Sequence, residues 1–178
     1  LIARGIAASR IRTSHPGIDL PGQAVDPAVW RPPRIAYVGR LEAEKGLEIL
    51  LRGWAAVFRE RSDAMLLMVG NGTARESLRA LAESLGIADQ VNFVGPSQQV
   101  ERFLSLADFG VLTSLHEGLS NTLLEYMAAG LPVLGSKVSG TEDFVIDGRT
   151  GWLFEPGNVE AFSASLAHEI RNPLAALS

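Results

Sequence analysis

The sequence contains no cysteine, which excludes disulfides, thiolate metal sites and a cysteine nucleophile. It has only three histidines, His15, His116 and His168, and their wide separation predicts no histidine-rich metal site. Lysine is rarer still, with Lys45 and Lys137 as the two examples. No apolar run reaches about 18 residues, the length that indicates a transmembrane helix.

Positive charge is also limited, since 16 Lys and Arg residues face 20 Asp and Glu residues and give a net charge of -4. This balance predicts no broad basic face and argues against nucleic acid as the partner. A small anionic ligand remains compatible, because it needs only local cations and amides. With 178 residues and 47% hydrophobic content, the chain can form one globular domain with a substantial core.

The chain divides into two regions at about residue 33. Residues 1–33 contain turn chemistry such as His15-Pro16-Gly17 and predict an interdomain linker or the remnant of an N-terminal domain. The first residues, LIARGIAASR, include no initiator methionine, and we expect the chain to be part of a longer protein. Residues 34–178 have a regular pattern and predict a single domain.

In this second region, strand and helix patterns alternate about six times. Apolar runs predict strands over 34–38, 65–69, 91–94, 109–113 and 152–154, and residues 133–134 predict the start of a further strand. Among the helices, we expect one over 98–106, a short one over 142–146 and a last one that ends near residue 172. Strands that are apolar throughout are typical of a parallel sheet covered on both faces. We therefore predict an α/β fold, a Rossmann-like doubly wound parallel sheet of about six strands, with ligands at the carboxyl ends of the strands.

The stretch from Ser114 to Ser136, SLHEGLSNTLLEYMAAGLPVLGS, contains a helix start that follows a strand. Ser120 is placed to be the N-cap, which would leave the amides of Asn121, Thr122 and Leu123 free at the positive end of the helix dipole. Such an end is an anion site. The alternative is that Ser120 caps a purely structural helix.

Two glutamates, eight residues apart, flank this helix start. Glu125 lies one turn inside the helix, where a carboxylate would repel a phosphate unless it accepts hydrogen bonds from hydroxyls such as those of a ribose. Glu117 precedes the helix beside Gly118, and glycine allows close approach of a ligand. Either glutamate alone could be an exposed surface acid, but the pair in this strand–loop–helix context favours a binding site.

Another pair of charges follows the first predicted strand. Arg40 and Lys45 lie in the loop after Gly39, and a guanidinium with a mobile ammonium suits a diphosphate. The alternative is that both are solvated charges that pair with Glu42 or Glu44.

Two further glycine-containing loops end strands. Asn71 and Gly72 belong to a Gly-Asn-Gly turn, and Gly95 ends the third strand. Both could lie beside a ligand or be plain turns, since a lone GxG is a weak signal. Thr73 is placed to cap the helix that follows.

Together these segments resemble the C-terminal, donor-binding domain of family 4 retaining glycosyltransferases, which have the two-domain GT-B fold. The resemblance covers about three quarters of the chain and rests on the segments VGRLEAEKGLEILLRG, MVGNGTARESL, VNFVGP, ADFGVLTSLHEGLSNTLLEYMAAGLPVLGS and GTEDFVIDGRTGWLFEPGN. It implies that the predicted sheet is one half of a GT-B fold.

The resemblance also implies roles for the candidate residues. Arg40 and Lys45 would bind the diphosphate of a UDP-, GDP- or ADP-sugar, Glu125 would hold the ribose, and Glu117 would contact the transferred sugar. The catalytic set would then be Glu117, Arg40 and Lys45. The remaining donor contacts would come from Gly39, Asn71, Gly72, Gly95, Gly118, Leu119, Ser120, Asn121 and Thr122. No metal and no cofactor would be needed, because the cations and the helix dipole neutralise the departing diphosphate.

As a full-length protein, such an enzyme would transfer a sugar to a glycan, lipid or small-molecule acceptor bound mainly by an N-terminal domain. The resemblance implies a cytoplasmic location and allows peripheral membrane association. By itself, this chain would then have little or no transferase activity. Two other functions stay open: a sugar-nucleotide epimerase of GT-B architecture and a non-catalytic nucleotide-sugar-binding module.

Overall fold

The computed structural model describes residues 33–59 and 63–171. In these residues, six strands form one parallel sheet: β1 Arg34–Val38, β2 Met65–Val69, β3 Val91–Gly95, β4 Phe109–Leu112, β5 Val133–Ser136 and β6 Gly151–Phe154. Their order across the sheet is β3-β2-β1-β4-β5-β6. The predicted six-stranded, doubly wound parallel sheet is confirmed. The predicted linker over residues 1–33 lies, apart from its last residue, outside the described residues.

Helices connect these strands. They are α1 Leu47–Phe58, α2 Arg75–Ser84, α3 Val100–Leu104, α4 Asn121–Ala128, α5 Ser139–Glu142 and α6 Val159–Arg171, with short 3-10 turns at Ala43–Lys45 and Ala88–Gln90. Apolar side chains of α1, α2 and α6 form one core with one face of the sheet. Those of α3 and α4 form a second core on the opposite face. Trp54 of α1 is fully buried in the first of these.

Two helix predictions differ from the structure. The short helix expected over 142–146 is instead Ser139–Glu142, because it starts directly after β5, where the Val138 carbonyl accepts the amides of Thr141 and Glu142 at 2.8 and 2.9 Å. The helix expected over 98–106 is limited to Val100–Leu104. Residues 98–99 are irregular, and residues 105–106 form a turn.

The strand order reverses between β1 and β4: from β1 the chain adds β2 and β3 on one side, and from β4 it adds β5 and β6 on the other. In this class of fold, ligands bind at such a point. The paired residues of these strands are only Ile35 and Ala36 with Phe109 and Gly110. Beyond these pairs, backbone groups of β1 hydrogen-bond to the buried hydroxyl of Tyr126 instead of to the backbone of β4. This hydroxyl accepts a hydrogen bond from the Val38 amide at 2.9 Å and lies 3.1 Å from the Ala36 carbonyl oxygen. The side chain of one α4 residue therefore separates the two strands just below the site.

Candidate functional site

A cavity of about 320 Å³ lies at the carboxyl ends of β1 and β4. This volume is within the range of small-molecule sites. Of the residues predicted from the sequence, the cavity is lined by Gly39, Arg40, Lys45, Glu117, Leu119, Ser120, Asn121 and Thr122. The structure thus brings the two predicted groups of residues, about 75 positions apart in the chain, to the two sides of one cleft.

Other predicted residues lie outside this lining. Asn71 supports the loop after β1, since its carbonyl accepts the Leu41 amide at 2.9 Å. Gly72 is part of the same contact, because a Cβ on it would lie 2.2 Å from the Leu41 carbonyl oxygen. Gly95 accepts the Gly70 amide at 2.8 Å, and Gly118 is exposed. These contacts show how the loops hold one another, and any contact with a ligand stays a prediction.

Arg40 is the more exposed of the two predicted cations. Its side chain is 70% accessible and pairs at 3.1 Å with Glu44, four residues later in the chain. This is the surface pairing that the sequence left as an alternative, and an exposed pair of this kind contributes little to stability. The backbone beneath it is well fixed, because the buried Tyr37 hydroxyl donates to the Arg40 carbonyl at 2.6 Å. Burial raises the pKa of Tyr37 well above its ordinary value, which keeps this hydroxyl a donor.

Lys45 and Glu117 form an ion pair across the cleft. The Lys45 Nζ atom lies 2.6 Å from Glu117 Oε2, and each side chain is only 16% accessible. The alternative partners considered for Lys45, Glu42 and Glu44, are thus not the partner that the structure shows. Ser114, to which the sequence assigned no role, donates its hydroxyl to the same oxygen, Glu117 Oε2, at 2.9 Å. Its position three residues before Glu117, at the end of a strand, is the signal that could have found it.

Glu42 turns away from Lys45 and holds a different loop. Its carboxylate accepts hydrogen bonds from the Thr73 hydroxyl at 2.5 Å and from the Thr73 amide at 3.1 Å. These bonds lower the pKa of Glu42. The prediction that Thr73 caps α2 is therefore wrong, since its hydroxyl is used by Glu42 and Ala74 occupies the cap position.

The start of α4 points into the cavity. Ser120 is at the N-cap, as predicted, but its hydroxyl makes no capping hydrogen bond. The Leu123 amide is not free, because it donates to the Ser120 carbonyl at 3.1 Å. Within the described residues, the amides of Asn121 and Thr122 have no acceptor, and both residues line the cavity. Two unpaired donors at the positive end of a helix beside a lysine form a site suited to an anion.

Glu125 lies one turn further along α4, outside the lining of the cavity. Its side chain is partly buried, and burial together with the nearby charge of Glu101 on α3 raises its pKa. The charged form of a partly buried carboxylate lowers the stability of the folded protein. Carboxylates that are kept in such positions are often found at functional sites.

Neither a metal cluster nor a membrane span appears in the described ranges. Among residues 33–59 and 63–171, no three His, Cys, Asp or Glu side chains are grouped so as to hold a metal ion. No helix in the same ranges is both long enough and apolar enough to cross a membrane.

A Rossmann-like parallel sheet with a cleft suited to an anion, at the point where its strand order reverses, is an architecture that many nucleotide-binding domains share. The family described as "Glycosyl transferases group 1" matches residues 27–176. The chain therefore belongs to the group 1 glycosyltransferases, and its sheet is one half of their GT-B fold.

Individual proteins agree with this assignment. The lipopolysaccharide core biosynthesis glycosyltransferase LpsE of Rhizobium meliloti (strain 1021) is 31% identical over 134 residues, which are 75% of this chain and 38% of the relative. Among solved structures, the apo form of the lipopolysaccharide outer core galactosyltransferase WaaB superposes with a TM-score of 0.80 and 28% identity over 98% of this chain and 53% of its own. The chain spans about two fifths of the length of the first curated relatives.

A more distant structure has the same fold. Anabaena Alr3699/HepE, solved in complex with UDP and glucose, superposes with a TM-score of 0.76 at 22% identity, over 82% of this chain and 41% of its own. At this identity, the likeness concerns the fold alone.

Proposed function

We propose that this chain binds the nucleoside diphosphate-sugar donor of a metal-independent, retaining glycosyltransferase. The observation that carries the proposal is the meeting of Lys45 with the unpaired amides of Asn121 and Thr122 at one cavity. Lys45 has the carboxylate of Glu117 as its partner, whereas the two amides have no acceptor in the described residues. A diphosphate supplies such an acceptor, and its several oxygens suit donors that approach from two sides.

The same groups would assist the reaction. As the bond from the sugar to the diphosphate breaks, negative charge grows on the departing oxygen, and fixed donors that face that oxygen stabilise the transition state. Lys45 and the α4 amides would supply this stabilisation, with Arg40 at the rim. We therefore propose that no metal ion or other cofactor is required.

Glu117 and Glu125 would bind hydroxyl groups rather than attack the sugar. Glu117 lines the cavity beside Lys45, which supports a contact of its carboxylate with the transferred sugar. Glu125 lies deeper along α4, where accepting two ribose hydroxyls would offset the cost of its burial. The reaction would then proceed on one face of the sugar without a protein nucleophile, which gives retention.

The donor and the acceptor are proposed from the relatives. HepE was solved with UDP and glucose, so UDP is the first nucleotide to test. LpsE acts in lipopolysaccharide core biosynthesis by its name, so we propose a saccharide or lipid-linked saccharide acceptor. A further domain of the whole protein would bind that acceptor in the cytoplasm, at or near a membrane surface.

Calorimetry with UDP, GDP and ADP tests the binding site. We expect one of them to bind, and Lys45→Ala to weaken that binding by ~1.5–3 kcal/mol, the usual contribution of a hydrogen bond to a charged group. Arg40→Ala should have a smaller effect because the Arg40 side chain is 70% accessible. The matched control is Arg149→Ala, which removes an exposed cation from the turn before β6 and should leave the affinity unchanged. If the folded domain binds none of the three nucleotides at millimolar concentration, the proposal fails.

A further inference from the structure

The carboxylate of Glu117 is held by one of its two oxygens. Oε2 accepts hydrogen bonds from the Lys45 ammonium at 2.6 Å and from the Ser114 hydroxyl at 2.9 Å. Within the described residues, no donor contacts Oε1. A carboxylate offers about four acceptor positions, so the two positions of Oε1 remain available in a residue that lines the cavity.

The two donors to Oε2 differ in rigidity. Lys45 has a flexible four-carbon stem that can swing its ammonium to another anion. Ser114 has a short side chain that is 2% accessible, and its backbone is anchored, since its carbonyl accepts the hydroxyl of the fully buried Ser136 at 2.6 Å. The preceding residue, Thr113, is tied to the Lys45 carbonyl through its hydroxyl at 2.8 Å.

This difference matters if the cavity binds a diphosphate. Lys45 would then move from Glu117 to the phosphate oxygens, and Glu117 would lose its charged partner when it has to contact the donor sugar. Ser114 would be the donor that remains. We propose that Ser114 is a positioning residue that fixes Oε2 of Glu117 so that Oε1 faces the hydroxyls of the donor sugar. This inference rests on the proposed function.

Loss of Ser114 should affect binding of the donor's nucleotide and binding of its sugar differently. Ser114 also lines the cavity, but it is only 2% accessible and its hydroxyl donates to Glu117, so its loss should leave the affinity for the nucleoside diphosphate almost unchanged. The gain in affinity that the sugar adds should fall, because a Glu117 carboxylate held by nothing can rotate. If Ser114 were needed only for folding, its loss would weaken binding of the nucleoside diphosphate and of its sugar conjugate together, or of neither.

The experiment compares a nucleoside diphosphate with its sugar conjugate by calorimetry on this chain. The pair that binds best is first selected on the wild type. The panel contains UDP and UDP-galactose, UDP and UDP-glucose, GDP and GDP-mannose, and ADP and ADP-glucose. We expect Ser114→Ala to lower the ratio of the two affinities by about fivefold or more, with the affinity for the free diphosphate unchanged. In a Glu117→Ala background, Ser114→Ala should produce no further change in that ratio.

Two controls make the result specific. Ser163→Ala removes a partly buried serine hydroxyl that donates to the Val159 carbonyl at 2.7 Å on α6, and it should leave the ratio unchanged. If Ser114→Ala does not fold, Ser114→Thr and Ser114→Val form a pair of equal shape that differ in the hydroxyl. The threonine variant should keep the wild-type ratio, and the valine variant should lose it.

The outcomes distinguish the inference from the function on which it rests. If the wild type binds a nucleoside diphosphate but the sugar adds nothing, or if Ser114→Ala leaves the ratio unchanged, the inference fails while nucleotide binding stands. A ratio that still falls in the Glu117→Ala background also overturns it, because Ser114 would not then act through Glu117. If no nucleotide binds to the wild type, the proposed function itself fails.

Discussion

Glu125 is a residue whose position costs stability. It is partly buried on α4, and both burial and the charge of Glu101 raise its pKa. In the unfolded chain, the same carboxyl is solvated and titrates near its ordinary value. Folding therefore has to keep a negative charge where it is disfavoured, which is typical of residues retained for binding or catalysis.

The cost should appear as a pH dependence of folding stability. Because the pKa of Glu125 is higher in the folded state, the folded state binds more protons, and stability falls as the pH rises from the unfolded pKa to the folded pKa. Above that window the cost is constant. We expect Glu125→Gln to be more stable than wild type at pH 7, by about 0.2–1 kcal/mol since solvent screens part of the charge. The advantage should disappear near pH 3, where the wild-type carboxyl is protonated in both states.

Urea unfolding at pH 7 and pH 3 measures this difference. Glu155→Gln removes an exposed carboxylate from the loop after β6 and should show no such change with pH. A Glu125→Gln variant that is less stable than wild type at pH 7 would show that the carboxylate is stabilised by a contact in the folded protein, against the direction of its pKa.

At the residue scale, the sequence predicted which side chains line the cavity better than it predicted their partners. Arg40, Lys45, Glu117 and the start of α4 could be found because each follows directly from a strand end or a helix start. The ion pair between Lys45 and Glu117 could not, since its atoms are 72 residues apart and meet only when β1 and β4 become neighbours. Ser114 was missed for a different reason: it lies only three residues before Glu117, but a single loop serine does not indicate which acceptor its hydroxyl will find.

At the element scale, α1 and α6 pack closely against each other. Gly53 lies in the middle of α1, where glycine is normally unfavourable by about 1 kcal/mol relative to alanine. Here the absence of a side chain makes room for Phe162 of α6, whose ring would lie 2.2 Å from a Cβ on Gly53. Phe162 is fully buried and packs against Phe154 of β6, so the ring cannot move away freely.

Gly53→Ala should therefore destabilise the protein in spite of its better helix propensity. The clash is of the overpacking kind, which costs about 1–3 kcal/mol. Chemical denaturation of Gly53→Ala, Phe162→Leu and the double variant tests the cause. If Phe162 is the obstacle, the double variant should lose clearly less stability than the sum of the single variants. An additive result would show that Phe162 is not the obstacle, and a Gly53→Ala variant as stable as wild type would show that α1 and α6 can separate at no cost.

The elements that the sequence placed wrongly are those with the weakest local signals. The apolar strands were predicted close to their observed ends. The four-residue α5 was placed three residues too late, because its start depends on a contact between loops: the Gly140 amide donates to the Glu117 carbonyl at 3.3 Å. Thr73 was taken as a cap because its acceptor partner, Glu42, comes from another loop.

At the scale of the whole molecule, the site is a consequence of sheet topology. All six strands are parallel, so every loop that follows a strand lies at the same edge. The order β3-β2-β1-β4-β5-β6 turns the chain in opposite directions from β1 and β4, and the loops that follow these strands separate there to leave a cleft. Strand alternation in the sequence predicts this edge as the binding edge, although it gives no distances between the loops.

Hydrogen exchange with and without the nucleoside diphosphate should show that edge directly. Because the amides of Asn121 and Thr122 have no acceptor in the described residues, they should exchange quickly in the free protein. With ligand at 100 times its Kd, openings that require release of the ligand are suppressed about a hundredfold. We therefore expect slower exchange in peptides that cover 39–46 and 114–122.

The opposite edge of the sheet supplies the internal control. Residues 130–132 and 147–150 precede β5 and β6 and lie away from the cavity, so local exchange there should be the same with and without the nucleotide. Measuring both edges in one digest removes differences in protein concentration and labelling time. If protection increases at 130–132 and 147–150 while 114–122 is unaffected, the nucleotide binds at the amino ends of the strands, and the site defined by Lys45 and α4 is not where this domain holds its ligand.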